Sequence, residues 1–156
     1  MAAGEPYGGR VLIVDSSTWI KLPRAPEAAQ KTFVSAVALG QIRCSPVVLI
    51  EILYGAEDAE AVEAERAALE ELLPVPVTAS VCRAAINAMV ALAHSGSPGN
   101  HKVKGADLLI AASAADSAFG VLHHDEHFDK LASVLPFDSI WFADPDERTW
   151  SGCQET

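Results

Sequence analysis

The chain has 156 residues, half of them apolar, and a formal net charge of −10 at pH 7. That length holds one domain with a sizeable core, and the apolar content excludes a disordered chain. The negative field repels polyanions, which excludes indiscriminate binding to nucleic acid or anionic membrane; a reaction on a phosphodiester would need cations brought locally to the site.

Cys44, Cys82 and Cys153 are odd in number, far apart and in no C-x-x-C pattern. They suggest neither a disulfide framework nor a zinc knuckle, and read as reduced thiols of a cytoplasmic protein. The first apolar run is too short for a signal peptide and has no positive segment before it. The weakly polar stretch from Leu108 to Leu122 contains Asp116 and falls short of a membrane span.

In chain order, residues 1–9 read as a loose leader, residues 10–143 as one folded domain and residues 144–156 as a polar tail. Val11 to Val14 is an uninterrupted apolar run, rich in β-branched residues and bounded by Gly9 and a Ser/Thr cluster, the pattern of a fully buried parallel strand. It ends in Asp15. In open α/β sheets ligands bind at the carboxyl ends of strands where strand order reverses, so Asp15 is expected to face a cleft. A short helix over 17–22, closed by Pro23 and Pro26, precedes a helix over 27–39 with Phe33 and Val37 inward.

A strand is expected at 41–44, followed by a helix over 47–55 that Ser45 caps and Pro46 opens. The next helix, 57–73, is rich in acids and carries a narrow stripe at Val62, Leu69, Leu72 and Leu73, a solvated outer face. Val75 and Val77 suggest an edge strand. A helix over 79–94 would bury Val81, Ile86, Met89, Val90 and Leu92, and residues 95–102 form the clearest loop. An Ala-rich helix over 105–119 carries Asp107 in its first turn. The strand 121–124 also ends in an acid, Asp125, and a helix over 128–134 and a strand over 139–142 close the domain. Strands alternating with helices predict a three-layer α/β/α sandwich around a central, mostly parallel sheet.

Asp15, Glu51, Asp107 and Asp125 stand apart from the other acids because each is attached to an apolar segment rather than to charged neighbours. A carboxylate drawn into a low-dielectric region costs several kcal/mol unless it is paired or metal-bound. Gathered in one place, the four would repel and raise one another's pKa values unless a hard divalent cation neutralised them. An all-oxygen site suits Mg²⁺ or Mn²⁺, which engages phosphate and supports phosphodiester hydrolysis.

The same residues carry a resemblance. Asp15-Ser16-Ser17, Glu51 in Glu-Ile-Leu-Tyr-Gly-Ala, Asp107 in Ala-Asp-Leu-Leu-Ile-Ala-Ala-Ser-Ala, and Asp125 in Leu-His-His-Asp-Glu-His-Phe-Asp-Lys-Leu-Ala together resemble the PIN-domain ribonucleases, most of all the VapC toxins of bacterial toxin–antitoxin pairs. The likeness covers roughly residues 11–142. It implies a PIN-domain fold and a Mg²⁺- or Mn²⁺-dependent endoribonuclease acting on structured RNA. It also implies a VapB-type antitoxin that blocks the cleft, in a homodimer or a hetero-oligomer with that partner; no membrane association is expected, on the charge and span arguments above. Carried over by position, Asp15, Glu51, Asp107 and Asp125 are the acidic metal site and Ser17 a supporting contact. His127 stands where the family often has a second Asp. Lys21 and Arg24, after the first strand, and His101, Lys102 and Lys104, before Asp107, are the candidate cations for RNA.

Four other readings compete. The run from His123 to His127 could form a transition-metal site, but adjacent histidines on a strand point to opposite faces. A phosphatase with a D-x-D pair after its first strand is excluded by Ser17, and a receiver domain by the lack of a paired acid before Asp15. The remaining alternative is a catalytically inactive PIN fold that binds RNA or protein; such a module would be expected to have lost an acid, and all four are present.

Overall fold

The structure, a computed structural model, describes residues 4–143; the expected tail at 144–156 and the first three residues of the expected leader lie outside the described residues. At its centre is β1 (Leu12–Val14), every residue of which is buried. It is paired on one side with β2 (Ile42–Cys44) and on the other with β4 (Gly120–His123). β3 (Leu73–Pro74) and β5 (Asp138–Trp141) form the edges, giving the order β3-β2-β1-β4-β5 with every pairing parallel.

Side chains alternate across a strand, and β1 shows which layer takes which residue. Ile13 points into a core with Val48, Val81, Leu92, Ile110 and Phe128, whereas Leu12 and Val14 point into a second core with Phe33, Ala36 and Phe142. Helices therefore cover both faces, the α/β/α sandwich expected from the alternating pattern. The larger core is closed by α3 (Pro46–Tyr54), α5 (Ala79–His94), α6 (Gly105–Ser117) and α7 (His127–Leu131). The second lies under α1 (Ser16–Lys21) and α2 (Glu27–Ala38). Outside both, α4 (Ala59–Leu69) buries only Leu69 and leaves its acids in water.

Several expectations need correction. The leader is not loose between Pro6 and Gly9: this stretch is a 3₁₀ turn with Pro6 buried, and Gln41 Nε2 donates to the Pro6 and Arg10 carbonyls at 2.9 and 2.8 Å. Inward apolar positions are also fewer than the sequence suggests. Val37 on α2 and Ile86 and Val90 on α5 are exposed. The buried stripe of α5 is Val81, Ala85, Ala88 and Leu92, because alanine lets α5 approach α6 closely where a branched residue would hold it off. The acid-rich helix stops at Leu69, and the edge strand is Leu73–Pro74 rather than Val75 and Val77. Pro74 offers no donor for continuing the ladder outward, which suits an edge.

Close packing sets the approach of β4 to its neighbours. A Cβ on Gly120 would lie 2.7 Å from Leu12 Cδ2 and 3.0 Å from the Asp138 carbonyl, so only glycine fits between β1 and β5 at this level.

Candidate active site

The register Val14↔Leu122 brings the carboxyl ends of β1 and β4 side by side, at the point where the chain winds in opposite directions from the middle of the sheet. Asp15 N–H donates to the Leu122 carbonyl at 2.9 Å, the last ladder bond before the strands part. Asp15 then caps α1. Its Oδ2 accepts from Ser17 N–H at 3.0 Å and from the Ser17 hydroxyl at 2.6 Å, which satisfies an orphan donor of the first turn. The same hydroxyl oxygen accepts from His124 N–H at 3.0 Å, and the Thr18 hydroxyl donates to the Leu122 carbonyl at 3.1 Å. Ser17 and Thr18 thereby stitch the start of α1 to the end of β4.

The other acids arrive from separate elements. Glu51 lies midway along α3, half-buried, with its Oε1 accepting from the Ser16 hydroxyl at 3.4 Å. Asp107 sits in the first turn of α6 and is only 4% exposed. Asp125 follows β4 in a tight turn, where its Oδ1 accepts from His127 N–H at 3.0 Å. Asp125 N–H in turn donates to His123 Nδ1 at 3.1 Å.

That last bond begins a chain of contacts that fixes the β4 end. With Nδ1 accepting, His123 Nε2 carries the proton and donates to the Ser139 hydroxyl at 2.7 Å. Ser139 donates to Asp129 Oδ1 at 2.7 Å, and Trp141 Nε1 donates to Asp129 Oδ2 at 2.9 Å. The His123 ring is fully buried and stacks on Phe128, with centroids 4.9 Å apart. Burial pushes its pKa down to about 4, as this neutral tautomer requires.

Crowding among the acids is visible in their protonation. Asp107 is pushed up to about 6, first by burial and then by the charges of Asp15, Asp125 and Glu51, with Lys104 opposing. Burial, reinforced by the Asp125 charge, raises Asp15 despite the bonds from Ser17 and Ser16. Glu51 is raised by burial and by Asp15, again with Lys104 opposing. The structure thus brings all four carboxylates to one place. Asp116 is exposed on α6, and Asp129 faces β5.

Two carboxylate oxygens in this cluster, Asp15 Oδ1 and Asp107 Oδ2, are buried without a hydrogen-bond partner, as is His127 Nδ1. Buried polar atoms in native proteins are nearly always satisfied. Acceptors left unpaired at the same spot are the donor set a divalent cation requires, so the residues present fit a metal ion. Ligand atoms of Asp107, Asp125 and His127 all lie within 4.8 Å of one another.

Of the candidate cations, Lys104 acts on both Glu51 and Asp107, and Lys21 acts on His124. Arg24 and Lys102 are exposed, and no described contact brings either to the acids. Lys104, Ser16 and Glu51 also line a cleft of about 740 Å³ whose wall includes Trp19, Ile20 and Leu22. Sequence reasoning missed the part played by Ser16 and the inward turn of His127; the signal for the latter is an Asp followed two residues on by a donor N–H, an Asx turn. Of the histidine run, His123 is committed to Ser139 and only His127 joins the acids, which disposes of a shared His123–His124 ion.

A five-stranded parallel sheet in this order, with acids at the ends of β1 and β4 and on the two helices facing them, defines a class, and the profile of the PIN domain matches residues 12–134. The chain belongs to the PIN-domain family. Within it, the chain is similar to Ribonuclease VapC18 of Mycobacterium tuberculosis (strain ATCC 25618 / H37Rv), at 35% identity over 131 residues that cover 84% of this chain and 94% of that relative. The VapC-like character read from the four acidic blocks is borne out by that match.

The fold is similar to that of DNA-bound VapBC from Salmonella typhimurium, with a TM-score of 0.65 at 20% identity over 85% of this chain and 98% of the other. It is also similar to VapBC-5 from Mycobacterium tuberculosis, with a TM-score of 0.57 at 24% identity over 83% and 97%. A third similar structure is VapBC-1 from nontypeable Haemophilus influenzae, with a TM-score of 0.63 at 17% identity over 83% and 95%. No helix among the described residues is long and apolar enough to cross a membrane.

Proposed function

We propose that this chain is a divalent-metal-dependent endoribonuclease of the VapC type, hydrolysing RNA phosphodiester bonds as the toxin of a toxin–antitoxin pair. The observation that carries this reading is the convergence of Asp15, Glu51, Asp107 and Asp125 at one switch point, with buried acceptor oxygens on Asp15 and Asp107 left unpaired. The similarity to a VapC ribonuclease supports the substrate class.

Asp15, Asp107, Asp125 and Glu51 would hold Mg²⁺ or Mn²⁺. When bound, such an ion supplies the positive charge that lets crowded carboxylates ionise and that offsets charge developing on a phosphodiester. Ser17 holds Asp15 in one orientation through its 2.6 Å bond, and His123 holds the Asp125 backbone. Lys104 places a positive charge at the rim, where a phosphate of the substrate would approach. Ser16 orients Glu51 toward the same cleft. The apolar wall of that cleft, with Glu51 in its lining, suits a partner segment that presents Arg to this carboxylate, the part an antitoxin would play.

The test is RNA cleavage by the purified chain, free of any partner, in Mg²⁺ or Mn²⁺ and in chelator. Cleavage should stop in chelator and in Asp15→Asn or Asp107→Asn. Activity that survives either would overturn the mechanism, and RNA binding without cleavage would favour an inactive binding module. Expression in a host cell should arrest growth, and co-expression of a cognate antitoxin should relieve the arrest.

A further inference from the structure

We propose that His127 is a nitrogen ligand of the divalent ion and biases this site toward a first-row transition ion, Mn²⁺, over Mg²⁺. The inference rests on the metal-dependent reading above and adds to it a ligand that is not an acid.

The geometry points there directly. His127 Nδ1 lies 3.3 Å from Asp125 Oδ1 and 3.7 Å from Asp107 Oδ2. Around an ion with bonds of about 2.1 Å, ligands at right angles sit about 3 Å apart and opposed ligands about 4.2 Å, so these separations are those of atoms sharing one ion. Neither contact is a hydrogen bond: Nδ1 and Asp107 Oδ2 are both buried without a partner, although Asp107 itself is only 4% exposed. The position is held on both sides. His127 N–H donates to the Asp125 carboxylate at 3.0 Å, and the next residue, Phe128, is fully buried beneath His123.

Chemistry gives the consequence. Mg²⁺ takes oxygen ligands and gives up its waters reluctantly; Mn²⁺ also favours oxygen, but as the first of the first-row transition ions it accepts a neutral imidazole more readily than Mg²⁺ does. A carboxylate at position 127 would have offered another hard oxygen; an imidazole lowers the site's negative charge and softens one ligand. The lost charge weakens the hold on both ions, whereas the nitrogen donor weakens the hold on Mg²⁺ more than the hold on Mn²⁺.

Electron paramagnetic resonance of the full, untagged chain titrated with Mn²⁺ at pH 8 tests this. The free-ion signal should fall as Mn²⁺ binds, and pulsed spectra should show the ¹⁴N modulation of a directly bound imidazole. That modulation should persist in His124→Gln and vanish in both His127→Asp and His127→Gln, of which the first suits a helix N-terminus and the second preserves size. In competition, the Mn²⁺ to Mg²⁺ affinity ratio should fall in His127→Asp, whose ligand is again an oxygen. Mn²⁺ bound without ¹⁴N modulation, or with modulation indifferent to His127, overturns the ligand while leaving the acidic site intact. Absence of Mn²⁺ binding, or binding unchanged by Asp107→Asn, overturns the site itself and the ligand with it.

Discussion

The Ser17 hydroxyl donates to Asp15 Oδ2 at 2.6 Å, so the carboxylate that ends the central strand is held by the residue that begins the following helix. The same oxygen accepts His124 N–H from the neighbouring strand end. Ser17→Ala would remove a charge-assisted bond and strand a half-buried donor at once. The expected result is a loss of about 1–3 kcal/mol in stability together with weaker divalent-ion binding. Denaturant unfolding and a metal titration on the same variant check both; unchanged metal affinity would mean that Asp15 needs no such support.

Asp125, rather than Asp116 or Asp129, is the fourth carboxylate of the proposed site. Its charge acts on Asp15 and Asp107, whereas Asp116 is exposed and Asp129 accepts from Ser139 and Trp141. RNA cleavage should collapse in Asp125→Asn and stay within a few-fold in Asp116→Asn. Asp129→Asn should also keep most of its activity but unfold earlier, by about 1 kcal/mol, because its amide nitrogen cannot accept what the second carboxylate oxygen does. Equal activity losses at positions 125 and 116 would mean the site is misassigned.

Proton linkage at Asp107 gives a pH signature in the ion-free protein. Its folded pKa of about 6 exceeds the ordinary value of 3.8. Between these two the folded state binds more protons than the unfolded one, so this group's contribution to stability is largest below pH 4 and is lost as pH rises through 6. His123, lowered to about 4 by burial, acts in the opposite sense and loses stability as pH falls from 6.5 toward 4. The difference between wild type and Asp107→Asn isolates the first effect: the variant should gain relative stability across pH 4 to 6 and be the more stable protein at pH 7.5. Mn²⁺ should reverse the order at pH 7.5 by stabilising only the wild type strongly. Thermal unfolding across this range, with and without Mn²⁺, is the measurement.

Ala118 closes α6 in the left-handed conformation, with φ of 57°. Glycine is the residue that takes this position without a Cβ penalty. Ala118→Gly should therefore raise stability by about 0.5–1 kcal/mol and leave cleavage unchanged. The neighbouring Gly120→Ala should do the reverse, since its Cβ would meet Leu12 at 2.7 Å. Chemical denaturation of the two variants side by side checks the contrast.

The sequence by itself determined the order of elements and the identity of the odd acids. Apolar runs such as Val11 to Val14 can be satisfied only by burial on both faces, and an acid attached to such a run must find a compensating partner. Local chemistry was equally legible at Ser45 and Pro46, because a cap and a first-turn proline act within a few residues. Which apolar residues stay in water was not legible. Ile86 and Val90 carry the same hydrophobicity as Val81, and only the close seat of α5 on α6 decided that alanines take the contact. The same holds at the site. Asp107, Asp125 and His127 come from α6, the turn after β4 and the start of α7, and whether Nδ1 turns inward depends on the Asx turn and on Phe128 packing under His123. Periodicity reports which face a residue occupies, but the distance between side chains from different elements exists only once the sheet register is set, and that register placed the β1 and β4 ends together.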